Sequence, residues 1–192
     1  MHLFNYIVLV ICICAGCQSD NLEKVNGVNL VGPRNAFPSS YLSPITELGA
    51  DYVAIIPFAF SRPGQPAVTY GQEWQWWGER TEGVQQIIKY AREHNLKIML
   101  KPHVWIAQQG WPGEYILNTE EDWQVWEKDY EKYILDYVAL AHALQVEIFC
   151  IGTEYRIAVK ERPDYWRQLI SKARKIYNGK ITYAANWDNY RN

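Results

Sequence analysis

The feature that most restricts this chain is a recurring alternation of short apolar runs and stretches of helical period. Apolar runs occupy Gly27–Val31, Asp51–Pro57, Leu96–Pro102, Val146–Gly152 and Ile181–Ala185. They are rich in β-branched residues and mostly apolar at successive positions, as strands covered on both faces must be. Between them, Val84, Ile87, Ile88 and Ala91 recur at i, i+3, i+4 and i+7, and so do Trp166, Leu169, Ile170 and Ala173. A longer stripe carries Trp123, Trp126, Tyr130, Tyr133, Ile134, Tyr137, Val138 and Ala141. Thr119 with Asp122 three residues on predicts an N-cap, Pro163 suits a first helical position, and Asn178-Gly179 a helix stop. Strand, helix, strand repeated in this way predicts a parallel α/β fold.

Unit spacing then separates the α/β architectures. Strand starts near 28, 51, 97, 146 and 181 lie about 38 residues apart on average, so eight such units would end near residue 330, compatible with a (β/α)8 barrel with insertions. A doubly wound nucleotide-binding sheet would need a glycine-rich turn after its first strand. Here that strand runs into Val31-Gly-Pro-Arg-Asn35 instead. The expectation is a (β/α)8 TIM-type barrel, truncated after about its fifth strand.

The N-terminus is read separately. Ile7 to Gly16 is a run of small and apolar residues, too short for a hydrocarbon core that takes roughly 20 helical residues to cross. It predicts a signal peptide over residues 1–16 whose end, Cys14-Ala15-Gly16-Cys17, resembles a bacterial lipoprotein processing site. Cys17 would then carry lipid, residues 17–25 would form a tether, and residues 26–192 would be the partial catalytic domain. The implied location is the bacterial cell envelope, lipid-anchored at the outer membrane or cell surface. After such cleavage only Cys17 and Cys150 remain, which leaves no disulfide framework and no cysteine-rich metal site.

A net charge of -2 leaves no electrostatic footprint for nucleic acid. The aromatic content points elsewhere: 9 Trp, 14 Tyr and 5 Phe make 15% of the chain, so some ring surface is expected to face a ligand. In barrel enzymes the chemistry sits past the C-terminal ends of the strands. Those positions hold Pro33, Arg34 and Asn35 after the first strand, and Phe58, Phe60, Ser61 and Arg62 after the second. The third strand ends in Lys101-Pro-His103-Val-Trp105, the fourth in Gly152-Thr-Glu154-Tyr-Arg156, and the fifth in Asn186-Trp187-Asp188.

The Lys101-Pro-His103-Val-Trp105 run, with Ile151-Gly-Thr-Glu154 closing the fourth strand, resembles glycoside hydrolase family 113, β-mannan-cleaving barrels of a large retaining clan. Gly27–Val31 and the stretch holding Trp74, Trp76, Trp77, Gly78 and Glu79 fit the same resemblance, which covers roughly residues 25 to 188. It implies that Glu154 is the general acid/base and that the nucleophile lies at the end of a seventh strand. The clan has Asn before this Glu, whereas this chain has Thr153. The substrate implied is a β-linked polysaccharide or oligosaccharide, mannan above others, with no metal or organic cofactor.

The candidate residues each have a plainer reading. Glu154 is either the acid/base or a surface partner of Arg156. His103 is either a carboxylate-orienting or hydroxyl-binding group or a satisfied structural histidine. Trp77, Trp105 and Trp187 could stack on pyranose faces or pack in the core, while Asn186, Asp188 and Arg34 are hydroxyl-binding candidates. Lys101 either meets substrate or faces the barrel interior with an acidic partner. The rival to an enzyme is a non-catalytic carbohydrate-binding lipoprotein that keeps the aromatic wall.

Overall fold

The structure is a computed structural model in which residues 24–187 are described. Cys17, Asp188 and the segments predicted as signal peptide and most of the tether lie outside them. Five parallel strands form one sheet: β1 (Gly27–Val31), β2 (Tyr52–Ile56), β5 (Lys97–Leu100), β7 (Ile148–Thr153) and β8 (Lys180–Ala184), side by side in chain order. Three further strands form a second sheet in the order β4-β3-β6: β3 (Phe58–Arg62), β4 (Gln65–Thr69) and β6 (His103–Ile106). The helices are α1 (Ser43–Glu47), α2 (Thr81–Glu93), α3 (Glu120–Ala143), α4 (Arg156–Glu161) and α5 (Pro163–Ile176). Neighbouring parallel strands joined through helices are the repeating unit of the (β/α)8 barrel, and the described residues hold five such strands.

A single row shows where the core lies. Leu30, Ile55, Leu100, Phe149 and Ile181 are register partners across all five strands; the central three belong to the buried cluster shared with α2, α3 and α5, and the outer two pack against it half-buried. Thr119 caps α3, its hydroxyl accepting the Asp122 N–H at 3.1 Å, and Pro163 opens α5, as their sequence positions predict. The stripe on α3 does more than fill space. Tyr130, Tyr133 and Tyr137 donate their hydroxyls to the carbonyls of Ile151, Pro57 and Glu79 at 3.0, 2.9 and 2.9 Å, so buried rings also satisfy backbone oxygens at the sheet's C-terminal rim.

The second and third strands depart from the sequence reading. Each continues past a proline rather than stopping at it: Ile55 faces Leu100, and beyond Pro57 and Pro102 Phe58 faces His103 in the same register. A proline has no N–H to give the ladder, which divides each strand in two, yet the pairing resumes because His103 N–H donates to the Pro57 carbonyl at 3.0 Å. β3 then turns through Pro63-Gly64, with Gly64 at φ 67°, into the antiparallel β4. Among the described residues no helix is long and apolar enough to cross a membrane.

Candidate active site

Glu154 occupies the end of the fourth barrel strand. β7 is buried at all six positions, and its pairing with β8 slips between Cys150 and Thr153: Cys150 faces Thr182 but Thr153 faces Ala184, one extra residue on β7. Such a bulge turns the strand and re-aims the side chains after it. Glu154 itself has φ 58°, a left-handed conformation that strains a residue with a Cβ. Its backbone is held from three directions. Glu154 N–H donates to the Ala184 carbonyl at 2.8 Å, its carbonyl accepts Arg156 N–H at 2.8 Å, and the Asn186 amide reaches the same carbonyl at 3.4 Å. Asn186 is buried and also accepts the Trp111 indole N–H at 3.0 Å.

Arg156 is engaged elsewhere. It pairs with Glu114 at 3.5 Å and lies over the Trp111 ring at 5.2 Å, and among the described residues the half-buried Glu154 carboxylate makes no ion pair. The expected acidic partner of Lys101 is likewise not found among the described residues. Lys101 instead sets local charge: burial, helped by its ammonium, pulls His103 down to about 4. The His103 ring is therefore neutral at ordinary pH, tilted against Phe58 at 5.2 Å, with Nε2 buried and unpartnered.

An aromatic cleft of about 490 Å³ opens past the ends of β1 and β2, and its Phe58 is the ring that meets His103. Val31 and Phe58 form its base, Phe60, Trp74 and Trp105 its walls, and Glu79 a buried acidic corner. Trp105 is 46% exposed and stands edge-on to Phe58 at 6.2 Å. Behind it Gly110, at φ 77°, approaches so closely that a Cβ there would sit 3.2 Å from the Trp105 ring. Trp77 does not line the cleft. It packs against the core with its edge towards Phe37 at 5.8 Å, while Trp74 and Trp76, on the same loop, are 63% and 47% exposed. Arg34 is exposed and contributes its carbonyl to Trp77 N–H at 3.1 Å; Trp187 is 87% exposed.

Gln75, which no motif marks, and Glu79 hold that loop in place. Gln75, buried, donates to the Phe58 carbonyl at 2.8 Å and accepts Gln72 N–H at 2.9 Å. Glu79 accepts Trp76 N–H at 3.1 Å, and burial pushes its carboxyl up, against that bond and the nearby Gln75 amide, which pull it down. The spacing Trp76-x-x-Glu79 is the only signal that could have found this capping arrangement. Buried polar side chains among the described residues are Ser61, Gln75, Glu79, Thr153 and Asn186. All five sit at the C-terminal rim. Burial of a polar group costs free energy unless it is bonded, and each of the five has a hydrogen-bond partner that ties it to the strand ends or the loop beside them. The described residues contain no cluster of three or more His, Cys, Asp or Glu that could hold a metal ion.

The sequence profile of Glycoside Hydrolase Family 113 matches residues 35–192. The chain belongs to that family. Its fold is that of a family 113 β-mannanase, AaManA, from Alicyclobacillus acidocaldarius, solved in complex with ManMIm, with a TM-score of 0.74 and 24% identity over 86% of this chain and 56% of that one. A family 113 β-1,4-mannanase complex gives 0.72 and 23% over 87% and 57%, and a β-1,4-mannanase structure 0.70 and 24% over 84% and 55%. The family 113 chain thus spans a little over half the length of these structures. None of the curated proteins matches it significantly.

Proposed function

We propose that this family 113 chain belongs to a retaining glycoside hydrolase acting on β-mannan, with Glu154 as its general acid/base. The observation that carries the reading is the placement of Glu154: a strained, bulge-directed carboxylate at the end of the fourth parallel strand, free of Arg156. The substrate follows from the β-mannanase and β-1,4-mannanase descriptions of the similar structures. Retaining hydrolysis takes two carboxyls about 5 Å apart. Glu154 would give its proton to the leaving glycosidic oxygen while a carboxylate attacks the anomeric carbon. It would then take a proton from the water that releases the sugar from the covalent intermediate. By the family resemblance the second carboxylate ends a seventh strand, and the five parallel strands described here stop short of it. Neutral His103, with Nε2 buried and unpartnered, suits a hydroxyl contact, whereas buried Asn186, its amide committed to Trp111 and the Glu154 carbonyl, positions the strand end instead.

The test is Glu154→Gln in an enzyme that carries the seventh-strand carboxylate. Turnover of β-mannan is expected to fall roughly 10² to 10⁴-fold, the usual worth of general acid-base catalysis. An activated aryl mannoside, whose leaving group needs no proton, should keep its glycosylation step, and azide should restore the second step. Polymer cleavage at the native rate would remove Glu154 from the mechanism.

We also propose a lipid anchor at Cys17 in the bacterial cell envelope, supported by the small residues before it. Cys17→Ser should abolish lipid labelling in a bacterial host; unchanged labelling and membrane partitioning would overturn the anchor.

A further inference from the structure

The second sheet has no part in closing a barrel, yet the loop beside it is built with unusual care. Phe60 and Trp74, whose ring centroids lie 5.1 Å apart, line two clefts at once. On one side is the 490 Å³ cleft with Trp76 and Trp105. On the other is a second cleft of about 390 Å³ whose remaining walls are Ser61, Arg62, Gln65 and Thr69 with the small apolar Ala67 and Ala107. Either volume falls within the range of roughly 300–1,000 Å³ found for ordinary ligand sites, so the two in series exceed what one sugar unit fills. We propose that the β3–β4 hairpin and the Trp74–Trp76 loop form a distal platform for a long β-linked glycan, with Trp74 as the residue that reads chain length.

This inference rests on the glycan-hydrolase reading of the family 113 chain, and it adds where the substrate extends beyond the reacting bond. The chemistry fits a pyranose chain, which presents apolar C–H faces and equatorial hydroxyls in alternation. Exposed rings cover the faces, and the amides, hydroxyls and guanidinium of the second cleft meet hydroxyls. The rings are also pre-positioned. Buried Gln75 ties their loop to the Phe58 carbonyl and Glu79 fixes Trp76 N–H. The hairpin is fastened in turn by Tyr115, whose hydroxyl donates to the Gln65 carbonyl at 2.6 Å, and by Asp129 of α3, which accepts Val68 N–H at 3.4 Å. Rigid rings lose little freedom on binding, which is where a flexible surface would lose affinity.

The full chain can be tested by binding, without turnover. Tryptophan fluorescence titration with manno-oligosaccharides of two and six units, together with electrophoresis in gels containing soluble β-mannan, gives the readout. The native chain should bind the six-unit sugar at least tenfold more tightly than the two-unit sugar. Trp74→Ala should erase that tenfold difference, about what loss of a buried aromatic anchor costs, while Trp74→Phe retains most of it. Because Trp74 is 63% exposed, its truncation should leave the thermal midpoint in place. Equal affinity for the two sugars, or a Trp74→Ala chain as well retained as native, would overturn the platform and leave the mannan reading standing. Length-dependent, Trp74-sensitive binding of β-glucan or xylan oligomers but not mannan would uphold the platform and overturn the choice of mannan. Binding to none of these glycans would overturn the platform.

Discussion

Two neighbouring rows of the parallel sheet, one residue apart, have opposite surroundings. The row Leu30, Ile55, Leu100, Phe149 and Ile181 faces the helices, and its three central members are fully buried. The row Asn29, Ala54, Met99, Ile148 and Lys180 points to the other side, where Asn29 and Lys180 are exposed and Ala54 and Met99 only half-buried. The helix-facing row is apolar throughout and meets rings and aliphatic side chains of α2, α3 and α5. The other row mixes sizes and polarities: only Ile148 is buried, and Met99, Ile148 and Lys180 line an open surface with Asn178 and Gly179 at the N-terminal ends of the strands. One face of these strands carries the stability, and the other is left open.

The largest expected effect breaks this comparison if it fails. Phe149 is fully buried, with Tyr177 edge-on at 6.2 Å, so Phe149→Ala should cost about 3–5 kcal/mol through lost transfer energy and a cavity. Asn29→Ala, on the neighbouring row of exposed β1, should stay within about 0.5 kcal/mol. Denaturant unfolding of both variants measures the contrast; similar shifts in midpoint would mean that both faces share the core.

That division also explains what could be read from the sequence. The helix-facing row was legible because five apolar runs and three helical stripes each announce their own burial, whatever their partners. The apolar runs of the second and third strands end at Pro57 and Pro102, and there the prolines do interrupt the ladder locally. That pairing resumes beyond them depends on the Pro57 carbonyl meeting both His103 N–H and the Tyr133 hydroxyl, the latter contact spanning 76 residues. In the Trp74–Trp77 stretch the sequence singles out Trp77 as a stacking candidate, yet Trp77 packs against the core and Trp74 and Trp76 face outward. Gln75 and Glu79 decide it by binding backbone groups, and Gln75 carries no pattern that would mark it. Glu154 was legible through its motif, whereas its bulge and left-handed backbone follow from the β7–β8 register. Trp111, which Asn186 binds across 75 residues, lay in no motif.

A smaller effect sharpens the comparison by pH. His103 sits where the buried side meets the rim, and its folded pKa is about 4 against the ordinary 6.5. Between those values the unfolded chain binds a proton that the folded chain refuses, so this contribution is present above pH 6.5 and is lost as pH falls towards 4. A shift of that size corresponds to about 3 kcal/mol at 1.36 kcal/mol per pH unit. Glu79 acts in the opposite sense, because its raised pKa makes its contribution full at low pH and lost as pH rises through the folded value. Comparing native with His103→Gln at each pH cancels Glu79 and isolates the imidazole. The native chain should lose stability relative to the variant between pH 6.5 and 4; parallel curves would mean that His103 is solvated and titrates normally.

The smallest effect concerns Glu154 itself. At φ 58° a residue with a Cβ gives up roughly 1–2 kcal/mol relative to the right-handed regions, while glycine adopts this conformation freely but loses more entropy on folding, about 0.5–1 kcal/mol. The two terms nearly offset, so Glu154→Gly should match the native chain or exceed it by up to about 1 kcal/mol. An ordinary strand position has no strain to relieve: Thr182→Gly in β8 should lose about 0.5–1 kcal/mol from the same entropy. Glu154→Val, which brings a β-branched side chain into the left-handed region, should be less stable than either Glu154→Gly or native. Thermal or denaturant midpoints of the four chains rank them, and a Glu154→Gly variant as destabilised as Thr182→Gly would show that the Glu154 backbone carries no strain. If the expected order holds, the carboxylate is kept in this conformation at a stability cost, which gives the structure a reason for Glu154 that packing alone does not supply.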